Sequence, residues 1–374
     1  MNRKKNILIV FGTRPEVIKM APVILELRKR SSEFVCNVCA TAQHRSMQDQ
    51  ALQIFSVEAD YDLNIMKPGQ SLGNIVSRLL IEIERVVDDC KPGYVLVQGD
   101  TATAFSAGLA AFHKQVPVVH IEAGLRTYRK HSPYPEEVYR HMLSAIAELH
   151  CAPTKWAQDN LLREGVPGDS IVVTGNTIID ALNYMLKETR NDVPIELACI
   201  HSNASIILVT SHRRESFGSG FREICKGIRE IAVRYPSCHV VYPVHLNPNI
   251  QGPAYTILGG LQNVSLLKPM AYLQFIHLMK RANLIITDSG GIQEEATALE
   301  KPVIVTREVT ERPEAIEAGV CKLVGTSSEQ IYKEAIRVLN GGSWVLKKNA
   351  NSLYGSGCAA QAIADAILRH SGCV

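Results

Sequence analysis

Four carboxylates in the first half of the chain, Asp100, Glu122, Glu136 and Glu137, have the type and placement for acid–base work. Each falls at the end of an apolar run or in the loop after it. Carboxylates brought together raise one another's proton affinity, which poises one as acid and another as base. Each also has a plainer role. Asp100 suits the N-cap of a helix opening at Thr101-Ala102-Thr103. Glu136 and Glu137, after Pro135, suit the positive end of a helix. Glu122 ends the apolar run VVHI, where a buried charge needs a reason. Gathered on one rim, the carboxylates favour catalysis.

The second half carries groups for an anion. Asp288-Ser289-Gly290-Gly291 follows an apolar run and opens a helix. Its glycines let the backbone approach a phosphate, and the N–H groups of the first turn point at it. Ser289 adds a hydroxyl donor, and Glu295, one turn further in, is placed to accept from ribose hydroxyls. A capped tight turn is the plainer reading. Ser211-His212-Arg213-Arg214-Glu215 packs an imidazole and two guanidiniums into one loop. Guanidinium forks suit phosphate oxygens, while a solvated charged loop accounts for at least one of the arginines. Arg312, in TERPEA, offers another cation, and Arg14 and Lys19 offer two more from the first half. The pair Gly218-x-Gly220 lacks the third glycine of a dinucleotide fingerprint, and Glu223 stands in its place. A nicotinamide cofactor is therefore unsupported.

These motifs need elements to hold them. Short β-branched runs recur at 6–11, 34–40, 94–97, 116–121 and 171–173, with helical patterns such as 16–30 and 72–89 between them. A second series runs through 206–209, 240–243, 264–267, 284–287 and 303–305. Strand–helix alternation predicts parallel sheets covered on both faces. Almost every polar motif comes directly after a predicted strand, where α/β sheets bind ligands. The expected fold is α/β, with two Rossmann-like domains facing across a cleft, a GT-B-like architecture. The expected boundaries are 1–178 for the carboxylate-bearing domain and 179–355 for the nucleotide domain. Residues 356–374 form a last helix that packs back on the first domain. The polar stretch 187–203 marks the join.

Composition narrows the function. The chain has 374 residues, 46% hydrophobic and 21% charged, with a formal net charge of +3. That suits two buried cores and offers no basic patch for nucleic acid. No apolar run approaches the roughly 20 residues of a membrane helix. The apolar start, Ile7 to Phe11, is too short for a leader and reads as a strand, so a cytoplasmic location is expected. Cys36 and Cys39 form C-x-x-C inside a predicted strand, where they face opposite ways and cannot share a metal. Reduced, buried thiols and no metal site are expected.

The chain resembles the non-hydrolysing UDP-N-acetylglucosamine 2-epimerases. FGTRPEVIKMAP, TAQHR, DYDLNIM, QGDTAT, IEAGLRT, SPYPEE, TGNTIIDAL, SHRRESFG, YPVHLNPN, TDSGGIQEEA and TERPEA carry the likeness, in order, over nearly the whole length. The resemblance implies interconversion of UDP-GlcNAc and UDP-ManNAc without a redox cofactor. It proceeds by elimination of UDP to a 2-acetamidoglucal and re-addition, and supplies ManNAc for bacterial surface polysaccharide. It makes Asp100, Glu122 and Glu136 the acid–base and cation-stabilising carboxylates. His212, Arg14 and Lys19 would stabilise the leaving diphosphate. Ser289, Gly290 and Gly291 would hold phosphate, Glu295 ribose and Phe275 the uracil, with Arg312 completing the nucleotide site. It also implies a homodimer and, in some members, a second UDP-GlcNAc as activator. Gln43, Arg213 and His245 match that activator site, whereas Ser46 and Gly69 stand where members carry Gln and Arg. Other departures are Gln98 for a common His, Tyr134 for Trp, Val138-Tyr139 for Ala-Asn, and Met270 for Gln. They bear on sugar fit more than on reaction type. The competing readings are a glycosyltransferase of the same architecture, a hydrolysing epimerase, and a UDP-GlcNAc-sensing module.

Overall fold

The computed structural model describes residues 4–41, 45–67, 69–187, 200, 204–342 and 350–370, without the side chains of 45–48 and 214. The described chain divides into two compact units, 1–183 with 354–374, and 184–353. Most of the polar stretch 187–203 lies outside the described residues.

The first unit is built on seven parallel strands: β1 (Lys5–Phe11), β2 (Phe34–Ala40), β3 (Tyr61–Asp62), β4 (Tyr94–Gln98), β5 (Val118–Ile121), β6 (Leu149–Ala152) and β7 (Ile171–Val173). Their order is β3-β2-β1-β4-β5-β6-β7. The second unit has six, β8 (Ser205–Thr210), β9 (Cys238–Pro243), β10 (Val264–Leu267), β11 (Leu284–Thr287), β12 (Val303–Val305) and β13 (Cys321–Leu323), ordered β10-β9-β8-β11-β12-β13. All neighbouring pairs are parallel. Both α/β units are thus Rossmann-like.

Continuous apolar runs dictate this burial. Ile7 to Phe11 of β1 and all of β4 are buried, as both faces of a parallel sheet must be when helices cover them. The helix Leu72–Cys90 shows how the cover is specified. Its buried residues, Ile75, Leu79, Ile83, Val86 and Val87, recur at helical spacing on one face. Ser71 caps its start by accepting from the Asn74 N–H, and Lys91, in the left-handed region at φ 47°, ends it. The C-terminal helix Ala359–His370 belongs to the first unit. The Asp180 carboxylate accepts from the N–H groups of Ala359 (3.1 Å) and Ala360 (2.9 Å) at its positive end, and Arg30 pairs with Asp365 at 2.5 Å.

Three strands escape the sequence reading: β3, β6 and β13. They are two to four residues long, and LHCA and CKL carry little β-branched signal.

Each sheet reverses its strand order at one point, between β1 and β4 in the first and between β8 and β11 in the second. The crevice at the carboxyl ends of such strands is where α/β folds bind ligands. Gly12 to Glu16, Gly99-Asp100, Ser211 to Arg213, and Asp288 to Gly291 all emerge there.

Candidate active site

In the first unit, Gly12 lies against the hydroxyls of Thr41 and Thr103, themselves 3.1 Å apart, and a Cβ there would overlap both. Only glycine lets the loop after β1 run this close. Glu16, buried in the first turn of the helix Arg14–Lys29, accepts from Gly12 N–H (3.1 Å), Thr13 N–H (2.8 Å) and the Thr13 hydroxyl (2.7 Å). Its other oxygen accepts from the Thr101 hydroxyl at 2.7 Å. One carboxylate therefore ties the loop after β1 to the loop after β4. Arg14 sits half-buried at the first position of that helix.

Thr101, not Asp100, caps the helix Ala102–His113, accepting from the Ala104 N–H at 3.0 Å. Asp100 instead pairs with Arg140, whose Nε is 3.0 Å from Oδ2 and whose Nη2 reaches the same oxygen. Arg140 also pairs with Glu137 at 3.0 Å. Glu137, buried, accepts from the N–H groups of Thr127 (3.0 Å) and Tyr128 (2.8 Å). The adjacent acids thus divide. Glu137 anchors the 127–128 loop, and Glu136, half-buried, opens the helix Glu136–Ile146.

Glu122 directly follows β5, beside β4, with Ile121 in register with Gln98. Its backbone is in the left-handed region at φ 64°, unusual for a residue with a side chain. Its carboxylate pairs with the Lys19 ammonium, accepts from the Gln98 side-chain amide, and accepts from Asn176 Nδ2 at 3.1 Å. Lys19, which the resemblance assigns to the diphosphate, is buried with its ammonium on Glu122.

In the second unit, Asp288 is fully buried after β11. Its Oδ2 accepts from the Ser211 hydroxyl (2.9 Å) and the N–H groups of His212 (2.7 Å) and Arg213 (2.8 Å). The loop after β8 is thereby fixed to the end of β11. His212 lies with its Nδ1 3.5 Å from Asp288 Oδ1, and its ring stacks on His245 with centroids 5.5 Å apart and planes 16° from parallel. Crowding by the surrounding protein lowers its proton affinity, Asp288 acts against that fall, and Arg213 adds to it.

Ser289 precedes the helix Gly290–Ala298. A Cβ on Gly290 would overlap the Arg312 guanidinium, whereas one on Gly291 would meet open space. Arg312 is held by Glu294 at 2.6 Å and Glu311 at 3.1 Å. Glu295 accepts from the Tyr272 hydroxyl at 2.5 Å, and Phe275 lies half-buried on the same helix as that tyrosine, Tyr272–Arg281. The His212 loop, the start of the helix Gly290–Ala298 and the buried Glu295 one turn further in therefore lie at one end of this sheet. Gln43 lies outside the described residues, as does the side chain of Ser46, while Gly69 has φ 73°.

Glu16, Arg140, Asn176, Asp288 and Tyr272 have no assignment from sequence reasoning. Glu16, Asn176 and Asp288 sit inside the quoted motifs just after strands, which is a usable signal, and Arg140 lies inside a helix, three residues beyond SPYPEE. Tyr272 has no such signal.

Both units are Rossmann-like and carry their polar motifs at the carboxyl ends of parallel strands, where such folds bind ligands. The family model described as UDP-N-acetylglucosamine 2-epimerase matches residues 26–368. A probable UDP-N-acetylglucosamine 2-epimerase of Ralstonia solanacearum is 50% identical, over 97% of this chain and 98% of that one. The crystal structure of UDP-GlcNAc 2-epimerase from Neisseria meningitidis bound to UDP-GlcNAc superposes with a TM-score of 0.93 at 46% identity, covering 97% and 100% of the two chains. A glycotransferase of kitacinnamycin, at 13% identity and a TM-score of 0.62, shares the fold alone. The chain belongs to the UDP-N-acetylglucosamine 2-epimerase family and is an isomerase.

Proposed function

We propose that the enzyme interconverts UDP-GlcNAc and UDP-ManNAc by eliminating UDP and adding it back. The observation that carries this reading is the placement of Asp100 and Glu122 at the ends of the hydrogen-bonded neighbours β4 and β5, each on a buried cation. The hydrogen on C2 of the hexose has no neighbouring carbonyl to acidify it. As the C1–O bond to UDP breaks, positive charge grows at C1 and the C2 proton becomes removable. A carboxylate takes that proton and leaves 2-acetamidoglucal and UDP. A carboxylic acid then returns a proton to the opposite face of C2 while UDP re-adds at C1, so atoms and charge balance and no redox step is needed. Asp100, Glu122 and Glu136 supply these groups. His212, Arg14 and Arg312, with the N–H groups at Gly290 and Gly291, hold the expelled diphosphate, which is a task of positioning and electrostatics. Phe275 flanks the uracil and Glu295 takes the ribose.

The resemblance supports a cytoplasmic homodimer as the working form, with UDP-ManNAc feeding surface polysaccharide. Incubation with UDP-GlcNAc alone in D₂O, followed by NMR, tests the reading. Deuterium at C2 and a UDP-ManNAc signal are expected. A glycosyltransferase or a sensing module would leave the substrate unchanged, and a hydrolysing enzyme would accumulate UDP in proportion to turnover.

A further inference from the structure

Glu122 is gripped on both carboxylate oxygens by side chains from three separate parts of the chain. One face takes the Lys19 ammonium and the Asn176 amide at 3.1 Å, and the other takes the Gln98 amide. All three partners are themselves buried. They come from separate parts of the chain: the helix Arg14–Lys29, the end of β4, and the turn before the helix Thr177–Lys187. The left-handed backbone at Glu122 turns the side chain into this grip, a strained conformation that surrounding contacts must maintain.

Two partners are amides where a hydroxyl, a water or a titratable ring would serve for hydrogen bonding alone. An amide N–H donates and never titrates, so its preference for the ionised carboxylate is the same at every pH. We propose that Gln98 and Asn176 are positioning residues that hold Glu122 ionised and aimed at the hexose, so that Glu122 works from its carboxylate form. The inference rests on the assignment of Glu122 as a group that acts on the substrate.

Lys19, from the helix Arg14–Lys29, pairs with Glu122, and Glu122, Asp100 after β4 and Arg126 all act on His120 of β5. Burial holds His120 down to about 4, so its ring is uncharged at neutral pH.

Asn176→Asp is the decisive variant because it is nearly isosteric. Asn176 Oδ1 accepts from the Ile178 N–H at 3.1 Å, and its backbone N–H donates to Tyr354 O at 2.8 Å. Aspartate keeps both bonds and is itself a good residue at a helix start. Only the donor to Glu122 is lost, replaced by an oxygen that must share a proton with it. Two carboxyls sharing a site raise one pKa strongly. The acidic limb of kcat/KM should move up by more than about one pH unit, and by the same linkage Tm should fall at neutral pH and recover as the pH is lowered. Gln98→Leu, which removes the second donor without adding charge, should move the limb up by about one pH unit. A merely structural role would lower the rate equally at all pH and leave the limb in place.

Glu122→Gln is the control. If Glu122→Gln abolishes turnover and both limbs move, the inference stands. If Glu122→Gln abolishes turnover but the limb of folded Asn176→Asp coincides with the wild type, the positioning role is wrong and the reading of Glu122 survives. If Glu122→Gln turns over normally, the reading of Glu122 and the inference fall together.

Discussion

Asp288 stands directly behind His212: one carboxylate oxygen lies 3.5 Å from the imidazole Nδ1, and the other accepts the backbone N–H of the same residue at 2.7 Å. The carboxylate thus fixes the backbone of the residue proposed to stabilise departing UDP and presents its other oxygen to that residue's ring. It is also the influence that raises the proton affinity of His212, against crowding and Arg213, which lower it.

Asp288→Asn keeps the shape and removes the charge. Without the anion, the proton affinity of His212 falls further. Each tenfold loss of that affinity leaves about a tenth as much imidazolium at neutral pH. Loss of one charge-stabilising group typically costs about 10² in turnover. The expected outcome is a kcat lowered by roughly tenfold to a hundredfold with UDP affinity, read by calorimetry, changed much less. Unaltered kcat in the folded variant would remove His212 from the diphosphate chemistry.

The loop that makes this pair was legible as chemistry but not as geometry. SHRRES and TDSGG each read as a polar motif after a strand, yet nothing in either string says that they belong to adjacent strands. That fact lives in the order β9-β8-β11, which crossovers and long-range packing decide. The same holds for Glu122 and Asn176, 54 positions apart. Long apolar strands such as β1 and β4 announced themselves because burial on both faces demands an unbroken run. The four-residue LHCA could not, since its strand character comes from its neighbours. Lys19 shows a different limit: the sequence sets a lysine beside a proposed phosphate site without saying that its buried ammonium rests on the Glu122 carboxylate. Asp100 shows a third, because Thr101 competes for the cap and wins at 3.0 Å.

The adjacent glycines 290 and 291 make a paired test. Alanine at 290 must displace the Arg312 guanidinium, which Glu294 and Glu311 hold at 2.6 and 3.1 Å. Both Tm and UDP affinity should fall. Alanine at 291 meets open space, and in a helix it gains up to about 1 kcal/mol over glycine. Its Tm should hold or rise. If a diphosphate lies against this turn, the added methyl occupies ligand space and UDP affinity should drop tenfold or more, about 1.4 kcal/mol. A Gly291→Ala protein that binds UDP as the wild type does would move the phosphate away from this helix start.

His120 and His150 face each other in register on β5 and β6, both buried. The Gly99 carbonyl accepts from His120 at 2.7 Å, and a carbonyl can only accept, so Nε2 carries the proton of a neutral ring. Burial lowers the two residues to about 4 and about 3, below the ordinary histidine value of about 6.5. The sign follows from proton counting. Below about pH 6.5 the unfolded chain takes up protons that the folded chain refuses, so stability falls as pH falls, until the folded values are reached. Above that range neither residue contributes a slope. Each histidine adds up to about 1.4 kcal/mol per pH unit between these limits. Denaturation at pH 7 and pH 5 should therefore show a loss of several kcal/mol, to which carboxylates also contribute. His150→Leu, which leaves the His120 bond to Gly99 in place, isolates one share. Its stability should fall by about 2 kcal/mol less than the wild type's over the same interval. Parallel pH profiles for the two proteins would mean that His150 takes its proton in the folded state as readily as in the unfolded one.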